Sequence, residues 1–438
     1  MKKLLLSGLL VFFVSASLFS QDTLTLALDD ALEAALKNNK EVIMAGLDQE
    51  IAAAGFRQTN GLFLPQINVS YTALSTNNPL NAFGFKLQQQ SIAQTDFNPE
   101  VLNSPTATQN FMTKAEWKQP LLNFDMLHKR RAAHHQIDVY AFKAKRTKEY
   151  LTYEVTKAYA QLQLSLQAYQ VLEQALKTAN AIHRATNSRF EKGFIQKSDV
   201  LNAQVQVATS ENYLAEAKSN VQNASDYLNV LMGLQPGVIY KVRPIEKADV
   251  IQTTEIQVPD NRADFLAMQS AVIAQDNMIN SGKLSYLPKL NAFGEYMMND
   301  KEAFGFGSDS YLVGAQLSWT LFNGLATHNK IAQERIERNK MITQLNYQKE
   351  QGQLELNKTN RRIHDAYFAL RQHDVAVEHA GEAFRILQDR YQQGLVTTND
   401  VLQAQTLLSQ QKLNQAEAVF NFNATSAYLQ FLTSTSEK

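Results

Sequence analysis

The chain has 438 residues, no cysteine, and 42 basic against 42 acidic side chains. Lack of cysteine excludes disulfides, thiolate metal centres and a lipidated N-terminal cysteine. The even charge balance argues against nucleic acid as a partner, because phosphate binding favours a basic excess.

The N-terminus opens MKKLLLSGLLVFFVSASLFSQ, with Lys2 and Lys3 ahead of an apolar run from Leu4 to Val14. Small residues follow at Ser15, Ala16, Ser17 and Ser20. The run is too short to span a bilayer, and the pattern is that of a secretory signal peptide over residues 1–20, cut between Ser17 and Gln21. No later segment holds about 18 consecutive apolar residues, so no transmembrane helix is expected.

A first repeat occupies residues 21–233. After Pro65, QINVSYTAL puts Ile67, Val69, Tyr71 and Ala73 on one face and Gln66, Asn68, Ser70 and Thr72 on the other. Period two predicts a strand over about 63–75. FMTKAEWKQP alternates Ala115 and Trp117 with Lys114, Glu116 and Lys118, which predicts a second strand over about 111–122. The Asn- and Pro-bearing stretch between them, about 75–110, reads as a loop.

No proline occurs from 121 to 235, so the whole stretch is free to be helical. Leu151, Val155, Ala158 and Leu162 recur at spacings of three and four, as do Leu214, Ala217, Val221, Ala224, Leu228 and Leu231. These seams predict a helical hairpin over about 125–232 whose first helix is roughly 100 Å long at 1.5 Å per residue. Its turn is RFEKGFIQKSDVLNAQ, residues 189–204. Gly193 is suited to the left-handed conformation that ends a helix, Ser198 to an N-cap, and Asp199 to the first turn of the next helix.

Residues 234–261 carry Pro236, Pro244 and Pro259 and read as a linker. A second repeat follows over 262–438, with strands at about 287–298 and 310–322 and a helical hairpin over about 326–434. YLVGAQLSWTL places Tyr311, Val313, Ala315, Leu317, Trp319 and Leu321 on one face, and Ile363, Tyr367 and Leu370 form a helical seam. The turn returns as RYQQGLVTTNDVLQAQ over 390–405, with Gly394, Asn399 and Asp400 in the places of Gly193, Ser198 and Asp199. Other pieces recur in the same order: LPQIN and LPKLN, PLLNF and TLFNG, VTKAYAQL and IHDAYFAL.

Four strands cannot close a barrel, for which about eight is the practical minimum, and open edges cannot sit in lipid. A membrane sheet in this chain must therefore pool strands with copies of itself.

The two LP-started strands, the LLNF and LFNG signals, the AY dipeptides and the paired R-[FY]-x-x-G…D-V-L-x-A-Q turns, in that order, resemble the outer membrane efflux protein (TolC) family. The resemblance covers essentially the whole mature chain. It implies a mainly α fold with membrane β: each of two tandem repeats gives two strands to a trimeric twelve-stranded barrel, and long antiparallel helices form a periplasmic tunnel. Residues 234–261 are similar to that family's equatorial band. The implied function is an outer membrane exit duct of a tripartite efflux or type I secretion system. It would be a homotrimer working with a periplasmic adaptor and an inner-membrane pump that supplies the energy.

On that reading Asp199, Asp400 and Tyr391 are candidates for a periplasmic gate, and Arg189, Gly193, Arg390 and Gly394 for the surface an adaptor grips. Val396 and Gln403 stand where the best-studied family pattern has Arg and a second Asp, which departs from that gate. Both aspartates also have a plain role as helix-start acids. Trp117 and Trp319 are candidate membrane-interface anchors or simple packing residues. His128, His134 and His135 cluster at a helix start and read as a solvated face rather than a metal site. No nucleotide, zinc-protease or serine-hydrolase motif is present, so neither cofactor nor enzymatic activity is expected. A soluble periplasmic coiled-coil scaffold is the alternative, but it leaves the four alternating segments unexplained.

Overall fold

The computed structural model describes residues 24–248 and 257–436; the segment expected to be a signal peptide and part of the expected linker lie outside these residues. In chain order the elements are β1 (Leu24–Thr25), α1 (Leu28–Asn38), α2 (Lys40–Gln58), β2 (Gln66–Thr76), α3 (Pro79–Gln88), α4 (Pro99–Asn103) and β3 (Thr108–Leu122). They continue with α5 (Phe124–Glu191), α6 (Lys197–Leu231), β4 (Tyr240–Lys241), α7 (Ala263–Leu284), β5 (Lys289–Asp300), β6 (Ser308–Ser318), α8 (Ala326–Gln392) and α9 (Thr398–Leu432). Contacts divide them into two units, one over residues 24–42, 148–248 and 356–432, the other over 43–147, 257–355 and 433–436.

The second unit carries an antiparallel sheet in the order β2-β3-β5-β6. Its register aligns the alternation of all four strands. Val69 pairs with Ala115, Ala115 with Tyr296, and Tyr296 with Tyr311. One step along, Asn68 pairs with Glu116, Glu116 with Glu295, and Glu295 with Leu312. Because side chains alternate, one sheet face is apolar and aromatic while the other carries Lys114, Glu116, Lys118 and Glu295. β2 and β6 are both edges, with one side of each backbone unpaired in the single chain.

Two details differ from the sequence-based expectation. β6 stops at Ser318, short of Trp319 and Leu321, because its last pair is Ser318 with Lys289. Pro288 lies just beyond, and proline has no N–H with which to continue the ladder. The stretch after β2 is not plain loop but contains α3 and α4. Both start at an Asn-Pro pair: the side chains of Asn78 and Asn98 accept from the N–H groups of Asn81 and Glu100, and Pro79 and Pro99 take the first helical position.

Where β3 hands over to α5, Asp125 is 3% exposed. Its carboxylate meets Lys289 at 3.0 Å and Lys129 at 3.5 Å, and it sits in the first helical turn, where the dipole favours an acid. Strand and helix are thus tied at the joint.

The first unit is helical, with β1 and β4 pairing in parallel. Ala31 and Ala35 of α1 pack with Leu151, Val155, Ala158 and Leu162 of α5 and with Val221, Ala224 and Leu228 of α6. Both predicted seams of the first hairpin therefore reach this core. The Tyr159 hydroxyl donates to Leu26 O at 2.9 Å, fixing the residue after β1 against α5. In the second repeat Leu370 is buried, whereas Tyr367 is 37% exposed and covered by the Lys247 ammonium, 4.4 Å from its ring centre. Among the described residues no helix is long and apolar enough to cross a membrane.

Candidate functional site

The two glycine turns close the helical hairpins, and both belong to the first unit. Gly193 has φ +78° and Gly394 φ +79°, a backbone region in which a side chain is disfavoured. The N–H of Phe194 donates to Arg189 O and that of Gly193 to Phe190 O, at 3.0 and 2.8 Å. Leu395 to Arg390 O and Gly394 to Tyr391 O repeat the pattern, both at 3.0 Å. These are matched Schellman motifs that satisfy the last carbonyls of α5 and α8.

Both N-caps lie two residues earlier than the sequence suggests. α6 starts at Lys197 and α9 at Thr398, so Ser198 and Asn399 stand inside the first turns. The caps are Gln196 and Thr397, because the acid three residues later reaches back to them. Asp199 accepts from Gln196 N–H at 3.2 Å. Asp400 accepts from Thr397 N–H at 2.9 Å and Thr397 Oγ1 at 2.7 Å, while its own N–H donates to Thr397 Oγ1 at 3.2 Å. That is a reciprocal capping box. The hydrogen bonds from the Thr397 hydroxyl and N–H hold the Asp400 carboxyl below the usual carboxylate range.

Tyr391 is buried, and its hydroxyl lies 2.9 Å from Thr186 Oγ1 and 3.3 Å from Thr398 Oγ1. Neither partner is a carboxylate. The Arg189 guanidinium covers the Tyr391 ring, 4.2 Å from its centre, and donates to the backbone carbonyls of Tyr391 and Gln392. Arg189 and Thr186 come from the first hairpin and Tyr391 from the second, so the two turns are latched side by side. Ile182, Ala203, Val401 and Leu402 pack around the latch, with Val396 against them. Val396 thus contributes apolar contact where the resemblance led to an expectation of arginine. Gln405, the last residue of the repeated motif, donates to Ala175 O at 2.6 Å in a buried site. Arg390 is exposed, as are the matched residues Phe194 and Leu395.

Thr186, Thr397 and Thr398 are the participants that sequence reasoning missed. Thr397 had a readable signal, its spacing of three from Asp400. Thr186 and Thr398 had none, because their partner is distant in the chain.

On the sheet, Trp117 stands on the apolar face beside Gly294, where an added Cβ would lie 3.5 Å from the indole. Trp319 lies just past β6, 61% exposed, and donates through Nε1 to Tyr286 O at 2.9 Å. On the opposite face Lys114 Nζ lies 2.5 Å from Glu116 and 3.0 Å from Glu295, joining two carboxylates that are direct cross-strand neighbours. Lys118 adds a longer contact to Glu116, 3.6 Å. His128 is hydrogen-bonded to Asn277 at 2.9 Å, and His135 Nδ1 lies 3.2 Å from Asp138, with His134 beside them.

The profile of the outer membrane efflux protein family matches residues 31–234 and 257–434. The chain belongs to that family. It is an outer membrane efflux channel, a transport protein rather than an enzyme, with its helical part in the periplasm. No match is found among curated proteins. The fold is similar to that of the CusC channel, with TM-score 0.79 and 14% identity, covering 94% of each chain. It is also similar to the CmeC outer membrane channel of Campylobacter jejuni, with TM-score 0.78 and 14% identity over 93% of this chain and 85% of the other. The outer membrane protein VceC of Vibrio cholerae gives TM-score 0.74 and 16% identity over 94% and 97%.

Proposed function

We propose that three copies of this chain form one exit duct, each giving four strands to a twelve-stranded barrel whose apolar face meets lipid and whose charged face lines the lumen. The observation that carries this reading is the sheet itself. It has two open edges, an apolar face of Ile67, Val69, Ala115, Tyr311 and Val313, and an opposite face bearing Lys114, Glu116, Lys118 and Glu295. Neither its edges nor its two-sidedness suits a solitary sheet in a membrane. Trp117 and Trp319 would then anchor the barrel at an interface.

The duct serves an inner-membrane pump through a periplasmic adaptor, in efflux or type I secretion. The glycine turns are the surface the adaptor grips, with Arg189, Gly193, Arg390 and Gly394 in it and Phe194 and Leu395 protruding from it. Tyr391, with Asp199 and Asp400 at the adjoining helix starts, belongs to the device that keeps the inner mouth closed. Here the latch is hydroxyl to hydroxyl and arginine to carbonyl, so it needs no cation between carboxylates. Native mass spectrometry and planar-bilayer conductance test the reading together: a three-chain mass with a defined unit conductance supports it, and a non-conducting monomer that keeps its strands contradicts it.

A further inference from the structure

The charged face of the sheet is at least partly exposed over most of its length, but not at the end away from the helices. There Asn110 and Asn299 are 1% and 2% exposed, and Ser308 is 4% exposed. All three lie on the face that bears Lys114 and Glu295, as the register requires: Asn110 is an even number of residues from Lys114 on β3, Asn299 likewise from Glu295 on β5, and Ser308 pairs with Asn299. Buried amides on such a face must be hydrogen-bonded. The segment after β2 supplies partners to Asn110 and Ser308, and these two in turn bond Asn299. Gln89 Nε2 donates to Gln109 O at 2.7 Å and to Asn110 Oδ1 at 3.0 Å. Asn110 Nδ2 donates to Asn299 Oδ1 at 2.9 Å, and Ser308 Oγ lies 2.5 Å from Gln88 O and 2.9 Å from Asn299 O. The C-terminal end of α3 is therefore seated on the polar face.

The segment has its own bracing. Lys86 and Asp96 form an ion pair at 2.7 Å, Asp96 also accepts from Ala93 N–H at 2.8 Å, and the Phe83 and Phe97 rings meet edge-on at 5.7 Å. Ala82, within α3, is buried. The other loop at this end of the sheet leans the opposite way: Phe304 stacks on Tyr71, on the apolar face, with ring centres 4.8 Å apart. One loop is thus folded onto the polar face and the other onto the apolar face.

We propose that residues 78–97 are a lid over the outer mouth of the channel, narrowing the exit and setting the size of solute that leaves. This rests on the reading above that the charged face lines the lumen. Three copies would place three lids around one opening. The hydrogen bonds holding the lid to the sheet are between neutral groups, each of modest net worth, and none belongs to the strand ladder, so the lid opens without unpairing the barrel.

The test uses unit conductance and polymer exclusion from the outer side in planar bilayers, with the intact protein. Gln88→Ala with Gln89→Ala changes the lid alone and leaves every sheet residue in place. Lys86→Ala, at a part-buried ion pair within the lid, loosens the lid's bracing and touches no sheet residue. Trimers on native mass spectrometry verify assembly of both variants. The lid account predicts higher unit conductance and entry of larger polymers in both variants. A conducting wild type whose conductance and polymer cut-off match those of both variants overturns the lid while leaving the channel intact. If neither wild type nor variants conduct, the channel reading fails and the lid falls with it.

Discussion

Placing arginine on one face of β6 rather than the other separates the lipid-facing reading from a merely wet sheet. Ala315 pairs with Ala292 on the apolar face, and the next residue, Gln316, pairs with Asn291 on the charged face. β6 has 11 residues. At about 3.4 Å rise and a tilt near 45° it spans about 26 Å, close to the apolar band of an outer membrane barrel. Ala315 is two residues from the strand's middle, so it sits about 5 Å from the midplane. Arginine there is expected to cost about 2–3 kcal/mol, slightly below the midplane maximum. At Gln316 the guanidinium would remain in lumen water, and the expected cost is within about 0.5 kcal/mol of zero. Urea-dependent folding into lipid vesicles reads both. A larger loss for Ala315→Arg upholds the assignment. Equal tolerance, or a larger loss for Gln316→Arg, would refute the face assignment and with it the lumen.

Three further outcomes follow from the turns. Tyr391→Phe removes the hydroxyl shared with Thr186, which keeps its bond to Ile182 O at 2.8 Å. The loss of stability by thermal melting should therefore be modest, about 1 kcal/mol, with unit conductance raised; unchanged conductance would reduce Tyr391 to a packing residue. Gly394→Ala meets nothing within 4 Å, so its cost is conformational, about 1–2 kcal/mol from the left-handed backbone, whereas Gly46→Ala inside α2, equally unobstructed, should stabilise by up to about 1 kcal/mol. The Asp400 carboxyl is held below its usual range by Thr397, so its contribution is complete above the ordinary carboxylate pKa and is lost as pH falls through the lowered value. Thr397→Ala should move the Asp400 titration, followed by carbon-13 NMR, upward toward the ordinary range, and an unmoved titration would remove the capping box as its cause.

What the sequence makes legible is local and periodic. QINVSYTAL and YLVGAQLSWTL alternate strictly because one side of each strand faces a different medium from the other, and the register then aligns their apolar sides across the sheet. The long helices are readable because proline is absent and the seams repeat. Trp319 and Leu321 also alternate, yet they lie outside β6, since strand length is decided by the partner and Lys289 is the last residue of β5 able to pair. Ser198 and Asn399 have the right chemistry for caps, but Asp199 and Asp400 reach back three residues and move the helix starts to Lys197 and Thr398. The Thr186–Tyr391 contact spans 205 residues, and no local pattern encodes it. The lid was hidden for a similar reason: its two Asn-Pro starts are local signals, but its seating on Asp300 and Ser308 of the second repeat is not.

Pooling of three sheets into one water-filled barrel can be tested position by position. Because the chain has no cysteine, single cysteines introduced at Val313 and Leu312 report each face cleanly. In protein reconstituted into vesicles, a charged maleimide reagent that cannot enter lipid should label Leu312→Cys and not Val313→Cys, and native mass spectrometry of the same sample should give the mass of three chains. Labelling of both positions on a species of one chain would contradict the account.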